Sequence, residues 1–584
     1  MNNESIRRIR KKYIWLFVLI TALSMASAFL SAFPLQILKN IIDELMLKEQ
    51  GGSSNSQIIT KFLTLSLTYI LCLLTSYILN NLRTYISSLV KIKISNDIRN
   101  MIFNHLILLN QQYFDQANSS ELLGIVMQDS DFIASGIVSP ITNIGRVAFS
   151  FIFGIYFMST INVLLTIIII PITIIVGIIS SLSTGRLKIL AKENRRRNTI
   201  LWDYTTESIS GIRDIRSVGK ETNTSESFYA KSISMYENEN STEKYKFKVE
   251  AINNICLIIL LCAALITGGY LAINNIITLG SLVAILTYNS LLTQPIQSFV
   301  LVFQDLSRAK ASKERSNKIL MVEIDKSYFY TETIVIKDTD LAIKFSDVGF
   351  NYNSNREIFE SLDFSINKNT ITAFVGDTGS GKSTILKLLN TIYDTNKGEI
   401  FIYDQMITYK NKISSRKLLS YAFQETYLFN GTIIENILFS NESAEKDAID
   451  KALTSACIYE MVSKFPLGLE TIVGENGLLL SGGERQRIGI ARMLIKEADI
   501  FLLDEATSSL DNNTEKNIMN NILKSYPNKT LLIIAHRLST IVNADKIFVI
   551  SNGKIIESGT HLSLMSYDSK YKQLYNANKL KQLQ

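Results

Sequence analysis

Charge is scarce in this sequence. Only 19% of its 584 residues are Asp, Glu, Lys or Arg, while 47% are apolar. A soluble chain carries nearer a quarter charged residues, so a string of three or four soluble domains of about 150 residues each is excluded. Proline is rare as well, at six residues, and together with the apolar content this rules out a collagen-like or disordered chain. Cysteine is nearly absent. Cys72, Cys256 and Cys262 lie in apolar runs and Cys457 in a polar half, which makes neither a disulfide framework nor a CxxC metal site. The net charge of +7 would suit a nucleic-acid partner, but its distribution beside apolar runs points to membrane topology instead.

What is present in the first half is a series of long uncharged runs. Residues 13–38 and 62–82 carry no Asp, Glu, Lys, Arg or His, and each is long enough to cross a hydrocarbon core of about 30 Å as a helix. The run 147–185 is too long for one span and slightly short for two, so the third span starts upstream near Ile137 and includes Arg146. The run 251–304 folds back once, near Asn274 and Asn275. Six spans are expected, at about 13–38, 62–82, 137–158, 161–183, 251–274 and 277–304. Arg7, Arg8, Arg10, Lys11 and Lys12 precede the first, which puts the N-terminus in the cytoplasm, and an even count returns the C-terminal half to that side. Ala26-Ser27-Ala28 looks cleavable, but the apolar run around it is longer than a signal peptide needs.

The two inward loops, 83–135 and 183–250, are long and read as helices continuing past the bilayer. Each holds an apolar-polar patch that could dock on a soluble partner: Tyr113-Phe114-Asp115 with Glu121-Leu122-Leu123, and Glu207 to Ile212. The runs contain no acidic residue, which argues against proton coupling. Arg146 inside the third span instead favours an amphipathic substrate with an anionic group. Span 6 is polar along Thr287, Asn289, Ser290, Thr293, Gln294 and Gln297, with Pro295 placed to kink it.

After a linker at 321–340 the pattern changes to short β-rich runs alternating with amphipathic helices, an α/β domain over 341–575. Strand 371–375 runs straight into Gly376-Asp377-Thr378-Gly379-Ser380-Gly381-Lys382-Ser383, which fits G-x-x-x-x-G-K-[ST], and Thr384 continues into a helix. Backbone N–H groups of such a loop converge on phosphates at a helix N-terminus. Lys382 supplies a cation to the β/γ-phosphates and Ser383 a hydroxyl to Mg²⁺. A second buried strand, 500–504, ends in Asp504 and Glu505, suited to holding the metal and to accepting a proton from water. Ser481-Gly482-Gly483-Glu484 opens a helix and makes a second anion site, surplus in one copy and useful if two copies complete each other.

In this order the motifs resemble those of the ABC exporter half-transporters, over nearly the whole chain. The resemblance implies an α-helical six-span transmembrane domain followed by an α/β P-loop ABC-type ATPase domain. It assigns ATP and Mg²⁺ as cofactors and the segment 376–383 as Walker A. Asp504 and Glu505 fall in Walker B, with Glu505 catalytic, and Leu480 to Glu484 match the signature, Glu484 replacing the commoner Gln. Gln424 matches the Q-loop, near the metal with Ser383 and Asp504; Asp511 matches the D-loop, His536 the switch histidine, Tyr352 the adenine-stacking aromatic, and 471–477 the segment facing the coupling loops. With no catalytic position degenerate, the implied assembly is a homodimer in membrane lipid, exporting a peptide, drug-like or lipid-like substrate by alternating access. A lipid flippase and a siderophore-type importer share the same pattern. The polar tail 579–584 matches nothing and is expected to be unstructured.

Overall fold

The computed structural model describes residues 3–49, 55–337, 339–353, 356–534 and 541–583. It divides into two units, Met1–Leu106 with Ser119–Val322, and Ile107–Asn118 with Glu323–Gln584.

The first unit is helical. Its long helices are Ile14–Glu49, Asn55–Ile107, Val163–Ser210, Glu221–Ile273 and Leu279–Leu320, with a further helical stretch over Ser119–Ile161 that includes π turns at Ile125–Asp129 and Pro140–Ile144. A helix of 53 residues such as Asn55–Ile107 is about 80 Å long, far more than a bilayer core of about 30 Å requires. Among the described residues four helices are long and apolar enough to cross a membrane, and two shorter apolar stretches, Val163–Ile175 and Leu279–Leu292, begin helices that run on further. The breaks have local causes. Asn162 caps its helix by accepting from the Leu165 N–H at 3.0 Å, and Asn275 turns the chain at a φ of +56°.

Several polar side chains in this unit bond to backbone carbonyls. Thr287 and Ser290 bond to carbonyls of their own helix, and the buried Tyr288 hydroxyl donates to the Ala32 carbonyl at 3.0 Å. Side chains of 293–301 lie outside the described residues, and with them the polar stripe from Thr293 to Gln297. At the start of Leu279–Leu320, Asp43 accepts from the Gly280 N–H and the Thr278 hydroxyl at 3.0 and 2.9 Å. A Cβ on Gly280 would meet the Lys39 carbonyl at 2.4 Å, so this close approach requires glycine.

The second unit is built on two sheets. Six strands lie in the order β10-β9-β3-β8-β7-β6, and four in the order β2-β1-β4-β5. Here β1 is Leu341–Asn353, β2 Arg356–Asn367, β3 Ile371–Gly376, β4 Lys397–Ile402, β5 Gln405–Met406, β6 Leu419–Ala422, β7 Ile500–Asp504, β8 Thr530–Ile534, β9 Lys546–Ser551 and β10 Lys554–Gly559. Strands β6, β7, β8, β3 and β9 are mutually parallel, and β10 is antiparallel at the edge. Every residue of β7 and β8 is buried, as continuous apolar runs covered on both faces demand. Parallel order brings the carboxyl ends of β3, β6 and β7 to one edge, where ligands of open α/β sheets bind.

Two features of this unit differ from a free linker and a loose tail. Segment 323–337 is tied down: Asp325 and Asp394 both accept from the buried Lys412 ammonium at 2.9 Å, and Val335 exchanges two hydrogen bonds of 3.1 Å with Gln405. The tail is helical through Leu583, not unstructured, because Lys570–Leu583 is rich in Lys, Gln and Leu, which lose little side-chain freedom in a helix. The first loop patch is divided. Asp115, on the short helix Gln111–Gln116, accepts from the Tyr393 hydroxyl at 2.7 Å within this unit, while Glu121 to Leu123 fall in the first.

Lys412→Met leaves the Asp325 carboxylate buried without its cation, which typically costs about 3–5 kcal/mol. Thermal unfolding of the full-length protein should show a Tm lowered by roughly 5–10 °C, partly restored by adding Asp325→Asn. Burial pushes the Asp325 carboxyl up, but its bonds to Lys412 and Ser327 outweigh this and hold it below its ordinary 3.8. A depressed carboxyl contributes stability above its unfolded pKa and loses it as pH falls through the folded one, so the deficit should be constant from about pH 8 to about pH 5 and shrink only in stronger acid. An unchanged Tm would show that the cluster holds nothing.

Candidate ATP site

The site forms where β3 ends. Gly376 passes so close to Ile550 that a Cβ would lie 2.1 Å from its carbonyl oxygen, and Gly381 turns at a φ of +106° against the Phe359 ring. Helix Lys382–Leu389 starts there. The Lys382 ammonium donates to the Gly376 and Asp377 carbonyls at 3.0 and 2.9 Å. Burial pulls its pKa down, while Glu505, Asp377 and Asp504 pull it back up. Beside this loop is a cleft of about 520 Å³, lined by Tyr352, Ile358, Thr378, Gly379, Gly381, Lys382, Ser383, Thr384, Gln424 and Glu505.

The other strand ends supply the acids. Asp504 closes β7 and accepts from the Ser383 hydroxyl on Oδ1 and from the Tyr421 hydroxyl on Oδ2, each at 2.7 Å. Glu505 follows with a φ of +48°, a left-handed conformation that costs a non-glycine residue of the order of 1 kcal/mol. Its N–H is held by the Ile534 carbonyl at 3.1 Å, and its carboxylate accepts from the Gln424 amide at 2.8 Å. Gln424 thus meets Glu505 rather than the Ser383–Asp504 pair. The Tyr352 hydroxyl pairs with that of Thr384 at 3.1 Å, and its ring meets Tyr393 edge-on at 5.1 Å. Ser380 is buried beneath the loop, and Asp377 faces outward toward Lys570 at 3.7 Å.

The Ser481 segment lies apart from this cleft. Ser481 caps helix Gly482–Leu494 with a full capping box, and the Glu484 carboxylate accepts from the Ser481 N–H at 2.7 Å. A carboxylate closes this cap as well as the commoner amide does, which accounts for Glu484. Gly482 and Gly483 pack on Ser509, and none of these four residues lines the cleft. Asp511 caps helix Asn512–Ser525, and the N–H groups of Thr514 and Asn513 hold its carboxyl below the usual range. His536 lies outside the described residues.

Two residues escaped the sequence reading. Buried Gln486 donates to the Ser508 hydroxyl at 2.9 Å and accepts from the Ser509 N–H at 2.8 Å, joining the Ser481 helix to the segment after Glu505. Tyr421 holds Asp504 from β6, and burial, with Asp504 beside it, pushes its hydroxyl well above the ordinary range, so it remains a donor. Among the described residues no group of three or more His, Cys, Asp or Glu could hold a metal alone. Ser383 and Asp504 instead offer a hydroxyl and a carboxylate oxygen, the sparse hard-oxygen set that suits Mg²⁺ accompanied by phosphates.

Comparison with known proteins gives the geometry its context. Residues 17–296 match the ABC transporter transmembrane region and residues 359–508 the ABC transporter family. The chain is 31% identical over 578 residues to YgaD of Bacillus subtilis, named a candidate multidrug export ATP-binding/permease protein, covering 98% of this chain and 97% of that one. It is 30% identical over 483 residues to the ATP-dependent lipid A-core flippase of Chromohalobacter salexigens, covering 82% of each. A bacterial Atm1-family ABC exporter with ATP bound superposes with a TM-score of 0.82 at 25% identity, over 98% of this chain and 99% of that one. The chain therefore belongs to the ABC exporter half-transporters, in which a helical transmembrane domain and an ATP-hydrolysing domain are fused in one polypeptide.

Proposed function

We propose that two copies of this chain form a homodimeric exporter that hydrolyses ATP at two equivalent composite sites and moves an anionic amphiphile outward. The observation that carries this reading is the separation, within one chain, of a complete P-loop cleft from a capped, exposed Ser481 helix start. A second copy bringing its Ser481, Gly482 and Gly483 to the nucleotide would give the surplus anion site its use.

Within each site, Lys382 exchanges its carbonyl partners for the β/γ-phosphates. Ser383 and Asp504 would hold Mg²⁺, which would neutralise developing charge on the phosphates. Glu505 accepts the proton of the attacking water, His536 steadies the γ-phosphate, and Tyr352 stacks on adenine. Gln424, bonded to Glu505 at 2.8 Å, ties nucleotide occupancy to the position of the catalytic carboxylate. Six spans with a cytoplasmic N-terminus place the ATPase inside the cell. The patch around Ile209 and Ile212, both exposed, is then the surface that receives the second copy's ATPase domain.

Glu505→Gln keeps the reach of the side chain and removes the proton acceptor, which should cost of the order of 10²–10⁴ in hydrolysis. ATP binding should hold or tighten, because a negative charge facing the γ-phosphate is lost. Lys382→Ala should instead lose nucleotide. Bound nucleotide and turnover, measured together, decide the matter: near wild-type hydrolysis by Glu505→Gln would remove the assignment.

The anionic substrate class rests on two arginines. Arg83 is buried; its Nη1 donates to the Thr142 carbonyl at 2.7 Å, its Nη2 to Asn80 at 3.1 Å, and its Nε has no acceptor among the described residues. Arg146, one turn beyond Thr142, lies within electrostatic range of it. Neither uncharged run beside them supplies an acid, and a buried and a half-buried cation with no acid bonded to them among the described residues call for a mobile anion. Arg146→Gln should raise the concentration of an anionic amphiphile that half-stimulates ATPase by roughly 10-fold, the loss of one charge-assisted bond. Neutral amphiphiles should be unaffected; an equal shift for both would remove the anionic reading.

A further inference from the structure

The Tyr421 hydroxyl makes a contact with Asp504 for which the reading above has no use. Strands β6 and β7 run parallel with Tyr421 opposite Leu502, so Tyr421 and Asp504 emerge on one face of the sheet. Two neutral donors then grip opposite oxygens of one carboxylate, Ser383 on Oδ1 and Tyr421 on Oδ2, each at 2.7 Å. Such a grip fixes the rotation of the carboxylate plane. The Tyr421 ring also packs on that of Phe423 at 4.1 Å, one residue before Gln424.

We infer that Tyr421 is a positioning residue that sets the divalent-cation affinity of the ATP site by clamping the Asp504 carboxylate. The inference rests on the proposed role of Ser383 and Asp504 as the cation's holders. A carboxylate free to rotate must be ordered when a cation or its water arrives; one already held is not. Partners behind a metal-holding carboxylate are worth about 10–100-fold in metal affinity. A tyrosine that merely satisfies its own buried hydroxyl on the nearest acceptor would contribute to stability and leave cation dependence alone.

Binding of a fluorescent ATP analogue to the full-length protein in lipid nanodiscs separates these roles. It is measured first in EDTA and then across a MgCl₂ titration. Tyr421→Phe should match wild type in EDTA and need roughly 10-fold more Mg²⁺ for half of the Mg²⁺-dependent binding. Tyr421→Leu, which fills the strand position with an aliphatic side chain, should shift the midpoint equally. In an Asp504→Asn background Tyr421→Phe should add nothing. A wild-type midpoint in whichever variant folds overturns the inference, as does equal weakening with and without Mg²⁺, or a loss additive with Asp504→Asn. If nucleotide binding by the wild-type protein ignores Mg²⁺ altogether, the cation-holding role of Asp504 fails first; a dependent wild type with unshifted variants removes Tyr421 alone.

Discussion

Asp504 ends a strand whose five residues are all buried, and three separate stretches of chain meet at its carboxylate. Ser383 reaches it from the first turn of the P-loop helix and Tyr421 from the neighbouring strand, while its own backbone continues into Glu505. A carboxylate at such a place is tolerable because it is hydrogen-bonded on both oxygens and lies within electrostatic range of the Lys382 ammonium. The consequence is rigidity. Displacement of β6, β7 or the helix Lys382–Leu389 strains a short bond to this carboxylate, so one side chain adds to the backbone ladder that sets the register of β6 on β7. The residues that follow inherit that precision, and Glu505 can sit at a left-handed φ because its N–H is pinned to β8.

The membrane unit handles charge by the opposite device, scarcity. Where Asp43 occurs it caps the start of Leu279–Leu320, and Gly280 gives way to let it approach. Asp129 is buried in a π turn and answered by Ser312 and Arg315. Arg83 receives only neutral acceptors. Against that background Arg83 and Arg146, bonded to no acid among the described residues, stand out, and charges of this kind within spans are where function concentrates.

Much of this was legible in the sequence because the information is local. A P-loop is eight consecutive residues between a strand and a helix, and a span is an uninterrupted uncharged run. Run length shows only that the uncharged stretch 251–304 must fold back; the polar Asn274 and Asn275 mark where. Tyr421 and Gln486 could not be read locally, because their partners lie 83 and 22 residues away and their types are ordinary for a strand and a helix. The one available signal for Gln486 was a polar residue on the otherwise apolar face of its helix. Arg83 was hidden differently: it follows an uncharged run and so reads as a loop residue, although its helix continues unbroken to Ile107. The tail failed for a third reason, since a lack of motifs says nothing against helix propensity.

The arrangement in the cleft also bears on how nucleotide could move the rest of the chain. Lys382 is satisfied by two carbonyls and Glu505 by the Gln424 amide, so these two charged groups of the site are paired within it. A ligand shifts such an equilibrium only by what it gains in one state over the other. Phosphate oxygens offer Lys382 charge-assisted bonds, roughly twice as strong as those to neutral carbonyls. On the proposed reading, water placed for attack competes with Gln424 for the same carboxylate. Engaging the triphosphate therefore frees the Gln424 side chain at the moment Glu505 is put to use. The backbone around Gln424 is anchored on both sides, by Phe423 packed on Tyr421 and by the Tyr427 carbonyl, which accepts from Arg492 at 2.9 Å. The Gln424 side chain can turn away from Glu505 while the carboxylate of Asp504 stays fixed, which separates the part of the site that must move from the part that must not.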